Sequence, residues 1–322
     1  MGKIDIVTRN YMSDNARFAD AFNHLLYNGE YVLKPDSLSE LDPAEYSLLF
    51  DEQFKNTTQK YRDILKQCIF KQDAHYTYVL MGIENQSGIH YALPVKNLLY
   101  DALNYERQWS ETAKSHRKKH DLSNDEFVSG FSRTDRLKPV ITLTIYWGSK
   151  KWDGPRTLHQ MLDIPDARMM NYINDYQVHL LVPGEIEDFS KFRTEFGQAV
   201  HFMAVSNSSD KIKTLLQTPD FEAISNETVN LINVCTNENF KLNKKGGATN
   251  MCRGMDIIRA ESRNEGIIDG QIEYILDLLS DIGEVPDMIK DKIQSQKDPA
   301  TLKRWFKLAA RCDSLEDFMN QM

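Results

Sequence analysis

The sequence predicts an α/β domain followed by an all-α appendage, and three observations carry that expectation. Residues 75–83, 139–147 and 176–182 are apolar runs rich in β-branched and aromatic side chains, the composition of strands. Between them lie segments in which apolar residues recur at helical spacing. Beyond residue 250 the helical pattern stands alone. Strands interleaved with helices, then helices only, describe an α/β layer with a helical extension.

The elements follow in order. Phe18, Phe22, Leu25 and Leu26 form an amphipathic stripe, with Ser13 or Asp14 placed to cap the helix and Asn28-Gly29 to end it. Residues 34–43 mix prolines with serine and aspartate and read as a connecting loop. Residues 60–70 fit helix or strand equally well by period. The strand at 75–83 gives way to Glu84-Asn85-Gln86-Ser87-Gly88, where turn residues take over. From 94 to 108, Val95, Leu98, Leu99, Ala102 and Leu103 restore a helical period, with a proline at the front where it is tolerated. The polar stretch 109–138 contains a basic knot of Lys114, Arg117, Lys118 and Lys119. A strand at 139–147 closes at Gly148, and after a turn at 152–155 a short helix covers 157–162. The strand at 176–182 stops at Pro183-Gly184, and 188–216 reads as helical around Phe189, Phe192, Phe196 and Val200. Residues 243–250 have the glycine-bearing polar composition of a linker. The tail predicts helices over 251–281, 285–296, 299–310 and 314–321, so the domains divide as 1–240 and 250–322.

Composition narrows the function classes. The 322 residues, 41% hydrophobic and 27% charged, suffice for a sizeable core and suit two domains. A net charge of −8, from 39 basic and 47 acidic residues, argues against a protein that coats duplex nucleic acid. An enzyme acting on nucleic acid needs only a local basic surface. The four cysteines stand singly, which excludes a structural zinc site or a disulfide framework and leaves reduced thiols. No apolar run approaches the roughly eighteen residues of a membrane span, and the opening residues lack a secretory apolar stretch. No membrane partner is expected, and the expected location is cytoplasmic. No GxSxG, HExxH or GxGxxG pattern occurs.

The chemistry that remains lies in Asp63 and Glu84-Asn85-Gln86. Two carboxylates from neighbouring segments, one at a strand end, suit a hard divalent cation such as Mg²⁺ or Mn²⁺, which takes oxygen ligands. Glu84 and Gln86 share a side if the strand continues, because side chains alternate. A solvated strand end is the plain alternative. Lys96, early on the following helix, is placed either to face a phosphate or to stand in solvent. Tyr100, one turn on, fits half-buried packing. The knot of Lys114, Arg117, Lys118 and Lys119 is either a DNA-backbone surface or a solvated charge run. His90 is near enough in sequence to assist.

These residues carry a resemblance. Tyr61-Arg62-Asp63, then Ile83-Glu84-Asn85-Gln86-Ser87 at a strand end, then Lys96 and Tyr100 on a helix resemble the recombination-promoting nuclease or putative transposase family of the PD-(D/E)XK nuclease superfamily. Pro139-Val-Ile-Thr-Leu-Thr-Ile-Tyr-Trp-Gly148, Trp152-Asp-Gly-Pro-Arg-Thr-Leu-His159 and the helix from Asn250 to Gly266 extend the likeness over about residues 14–270. The resemblance implies a restriction-endonuclease-like core, a mixed central sheet flanked by helices, that cuts DNA with a divalent metal. Asp63 and Glu84 would be the metal ligands and Gln86 would stand where related sites use lysine. The family tends to place a further acid on its first helix, and here that position is Asn15. Asp14 or Asp20 is then the candidate substitute, or a plain solvated aspartate.

The expected function is therefore a metal-dependent DNA endonuclease, with Asp63, Glu84, Gln86 and Lys96 as its catalytic set. The alternative is a degenerate member that keeps the fold as a DNA- or protein-binding module, motivated by Asn15 and the overall acidity. In either case the helices after 250 offer a surface for homo-oligomerisation.

Overall fold

The computed structural model describes residues 2–41, 63–72, 75–244 and 246–322, with backbone alone at 71–72, 75–76, 124 and 253–267. Its centre is a five-stranded mixed sheet: β1 (Leu38–Leu41), β2 (Ile64–Gln72), β3 (His75–Gln86), β4 (Val140–Tyr146) and β5 (His179–Leu181), in that spatial order. β1–β2 and β2–β3 are antiparallel pairs, whereas β3–β4 and β4–β5 are parallel. A parallel pair needs a crossover, and between β3 and β4 that crossover is α3 (Leu93–Lys119).

Residues 60–70, ambiguous by period, resolve as strand from Ile64 onward. Leu38–Leu41 is a strand and not part of a loop, because it pairs with β2 from Leu38↔Cys68 to Leu41↔Leu65. That partner lies far along the chain, so local composition carries no sign of it. A further helix, α1 (Lys3–Met12), precedes α2 (Asn15–Tyr27). It is held by its buried Thr8, Tyr11 and Met12, too few apolar positions for a stripe.

Side-chain alternation on β4 fixes what lies on each face. Leu143, Ile145 and Trp147 point one way, and Trp147 meets Phe196 of α5 (Phe196–Val205) edge-on, with ring centroids 6.1 Å apart. On this side α1, α2, α5 and α7 (Asn226–Thr236) pack together around Phe18, Phe22, Phe196 and Phe202, all fully buried. Thr142, Thr144 and Tyr146 point the other way, toward α3.

On that second face the sequence expectation is reversed. The α3 stripe facing the sheet is Leu93, Asn97, Tyr100, Asp101 and Asn104, whereas Val95, Leu98 and Leu99 are exposed by 46%, 36% and 41%. The reason is the strand beneath. Asn97 Nδ2 donates to Thr144 Oγ1 at 2.9 Å, and Thr142 Oγ1 donates to Asp101 Oδ1 at 2.6 Å. Tyr176 completes the set by donating its hydroxyl to Asp101 Oδ2 at 2.5 Å. Thr142 and Thr144 make the middle of this sheet face polar, and α3 answers it with hydrogen-bonding groups that would be costly to bury unpaired. The helix also runs on to Lys119, so the basic knot is helical and not part of an irregular stretch.

The distinctive block at 139–159 has a packing role. Tyr146 and Trp152 meet edge-on at 5.1 Å, and both are buried with Leu93, Val178 and Val182. Residues 243–250 are likewise more than a linker: Ala248–Thr249 (β7) pairs with Ile224–Ser225 (β6), and Asn243 N donates to Asn226 Oδ1 at 3.1 Å.

The chain divides into two compact units, 1–251 and 252–322. The second is helical: the later part of α8 (Met251–Ile282), then α9 (Asp287–Gln294), α10 (Pro299–Ala309) and α11 (Leu315–Gln321). It has its own core, built on Ile275, Leu279, Ile293, Leu302, Trp305 and Phe318. No helix among the described residues is long and apolar enough to cross a membrane.

Candidate metal centre

The register of the β2–β3 pair sets Asp63. Ile64 lies opposite Ile83, the last rung of the pair, and Asp63 immediately precedes Ile64 just as Glu84 immediately follows Ile83. Asp63 is fastened in place by its own carboxylate, because Asn85 N donates to Asp63 Oδ2 at 2.8 Å. Tyr61 and Arg62 of the motif lie outside the described residues.

Glu84 is 1% exposed, on the α3 side of β3 opposite Thr144 of β4. Its Oε2 lies 2.9 Å from Lys96 Nζ, with side-chain exposures of 2% and 23% for Glu84 and Lys96 respectively. Lys96 therefore reaches the site from the first turns of α3, as its sequence position predicts, but its partner is Glu84. Its ammonium also stands 5.8 Å from the Tyr100 ring, and Tyr100 is buried. Burial pushes the Asp63 carboxyl above its ordinary value, against the hydrogen bonds from Asn85 and the positive charges of Lys96 and Arg9, which pull it down. Lys96 is thus felt by both carboxylates.

Gln86 is half-buried and, by alternation, on the Glu84 face. Its carbonyl accepts from Trp147 N at 2.8 Å. Trp147 Nε1 donates to Asn85 Oδ1 at 2.7 Å, so the three residues 84–86 are held from β4 as well as from β2. His90 accepts from Ala92 N through Nδ1 at 3.2 Å, at the entry to α3. Together these contacts place Asp63, Glu84, Gln86 and Lys96 at the carboxyl end of β3, where open α/β sheets commonly bind ligands.

The accessory candidates go elsewhere. Asp20 is 3% exposed, and its carboxylate accepts from Arg193 N, Thr194 N and Thr194 Oγ1 at 2.7–3.0 Å. It secures the turn before α5. Asp14 is the cap of α2, accepting from Ala16 N and Arg17 N at 3.0 Å each. Asn15 accepts from the buried Lys66 ammonium and donates to the carbonyls of Pro35 and Leu38. Burial lowers the Lys66 pKa, and its ammonium is met by Ser13 O as well as by Asn15. No sequence signal marks this lysine, since its position in β2 reads like any solvated strand residue. Among the described residues there is no group of three or more histidine, cysteine, aspartate or glutamate side chains arranged to hold a metal.

The donor set that is present consists of the Asp63 carboxylate, tied to Asn85, the neighbouring Glu84 carboxylate, and the Gln86 amide two residues on. These are oxygen donors, the kind Mg²⁺ and Mn²⁺ take, and two carboxylates completed by water and a substrate phosphate make a common Mg²⁺ site. The residues fit such an ion. Lys114, Arg117, Lys118 and Lys119 are all exposed on the last turns of α3, at the opposite end of that helix from Lys96. Comparison with protein-family models, curated proteins and solved structures gives no match for this chain.

Proposed function

We propose that this protein is a divalent-metal-dependent DNA endonuclease that hydrolyses phosphodiester bonds, with a restriction-endonuclease-like core. The observation that carries the reading is the end of β3, where Glu84 is paired with Lys96 and the next residue, Asn85, holds the Asp63 carboxylate through its backbone N–H. The mixed sheet flanked by helices agrees with that core.

Asp63 and Glu84 are the residues that would hold the metal. A Mg²⁺ ion bound there would polarise a phosphoryl oxygen and acidify a water. Glu84 takes its fixed position from burial and from Lys96. Asn85 holds Asp63 through its backbone N–H, so both acids are oriented before substrate arrives. Lys96 can exchange part of its contact with Glu84 for a phosphate oxygen, stabilising charge that develops during hydrolysis. Gln86, neutral where related sites use lysine, orients water or a phosphate oxygen.

The test is nicking of supercoiled plasmid DNA with Mg²⁺ or Mn²⁺. Asp63→Ala and Glu84→Ala each abolish nicking while circular dichroism stays unchanged; undiminished cutting by both purified variants refutes the reading. A second reading, a member that keeps the fold as a binding module, is favoured by one observation: Asn15 is committed to Lys66 where a further acid was expected. That module would bind DNA or protein partners and never nick.

A further inference from the structure

α3 is 27 residues long, about 40 Å at 1.5 Å per residue. Asn97 and Asp101 meet β4, Tyr105 and Gln108 meet residues 138–140, and the rest of the helix continues beyond the start of that strand. The following chain doubles back along α3 and is bolted to it. Trp109 Nε1 donates to Ser129 O at 2.9 Å, and Gln108 exchanges hydrogen bonds with the Lys138 backbone. His116 stands between Asp121 Oδ1, 2.6 Å from Nδ1, and Asp135 Oδ2, 2.9 Å from Nε2. Gly130, at φ +69°, lies so close to the helix that an added Cβ would come within 2.6 Å of Ala113 Cβ.

This mounting presents α4 (Asn124–Ser129), on which Phe127 is 70% and Val128 88% exposed. Lys114, Arg117, Lys118, Arg133 and Arg136 are exposed on the segments that carry it. Asp121, Asp125, Glu126 and Asp135 keep their negative charge among them, and the six exposed basic side chains, Lys119 included, outnumber these four carboxylates. A rigidly held apolar pair with basic neighbours, in a chain of net charge −8, is complementary to a polyanion that also has an apolar interior to offer. Duplex DNA is such a partner: apolar wedges enter between base pairs while basic side chains hold the phosphates. An anionic membrane shares the charge but is the poorer fit, since two side chains bury less apolar surface than one myristoyl chain, whose own binding is marginal.

We propose that α4 is a DNA wedge, inserting Phe127 and Val128 between base pairs while Lys114, Arg117 and Lys118 contact flanking phosphates. The partner's identity rests on the endonuclease reading; the surface is separate from the metal centre. The test uses the full chain, a short duplex carrying 2-aminopurine, and Ca²⁺ in place of Mg²⁺. Wild-type protein raises the 2-aminopurine fluorescence by unstacking it. Phe127→Ala/Val128→Ala abolishes the rise and weakens binding by about tenfold or more, and Phe127→Trp retains both. Lys114→Ala/Arg117→Ala/Lys118→Ala weakens binding and flattens its salt dependence, yet the bound duplex still brightens. An Ala double variant that unstacks and binds like wild type overturns the wedge, as does wild-type protein that binds phosphatidylserine vesicles but not the duplex. Asp63→Ala separates the two readings. If nicking depends on Asp63 while the double variant behaves as wild type, the wedge alone fails; if wild type unstacks DNA but never nicks it, the endonuclease reading alone fails.

Discussion

A carboxylate only 1% exposed, as Glu84 is, needs a partner at hand, and Lys96 supplies it at 2.9 Å. Removing the lysine takes a charge-assisted contact from a buried carboxylate, at a cost of about 1.5–3 kcal/mol. Lys96→Ala therefore destabilises the fold by about that much in urea unfolding, and combining it with Glu84→Gln recovers most of the loss. Asp63 behaves differently. Its carboxyl is raised, so the folded chain holds that proton more tightly than the unfolded chain does. The sign follows: this group's contribution to stability is lost as pH rises from the ordinary carboxylate value through the raised one. A metal needs the ionised form, so Mn²⁺ affinity, read by titration calorimetry, rises with pH across the same window. At this scale the position of Glu84 was legible in the sequence, because a strand end followed by a helix start is a local pattern, whereas residues 60–70 around Asp63 were ambiguous by period. The partners of Asp20 and Asp14 could not be read from local sequence, because the backbone N–H groups they accept from belong to a distant turn in one case and to a cap in the other. Ser13 or Asp14 was the expected cap of α2, and Asp14 is the one that serves.

α3 shows how an element is positioned by its partner more than by its own period. Its apolar residues form a genuine helical stripe, but the stripe in contact with β4 is the polar one, because Thr142 and Thr144 face it. The alternation Thr142-Leu143-Thr144-Ile145 was the available sign that one face of this strand is polar. Asp101→Ala, which strips the acceptor from Thr142 and Tyr176, costs about 2–4 kcal/mol. Leu98→Glu, on the exposed stripe, changes stability by no more than about 0.5 kcal/mol. The opposite ranking in chemical denaturation would show that the apolar stripe faces the core. β3 and β4 were legible because long runs of β-branched and aromatic residues declare themselves locally. β1, four residues long, was not, since only its pairing with β2 makes it a strand.

The whole molecule consists of two units with separate cores, and the candidate metal centre lies wholly within the first. Its net charge of −8 is no obstacle to a DNA substrate if the basic groups are concentrated, as they are along the last turns of α3. A ligand that binds only the folded first unit stabilises that unit, by about 2.7 kcal/mol at a hundredfold excess over Kd. Calorimetric melting with and without Mn²⁺ puts the central claim, that Asp63 and Glu84 share one divalent ion, to its most direct test. The predicted result is an upward shift of the 1–251 transition that vanishes in both Asp63→Asn and Glu84→Gln, with the 252–322 transition unmoved. A wild-type transition indifferent to Mn²⁺, or the same shift in both variants, would contradict it.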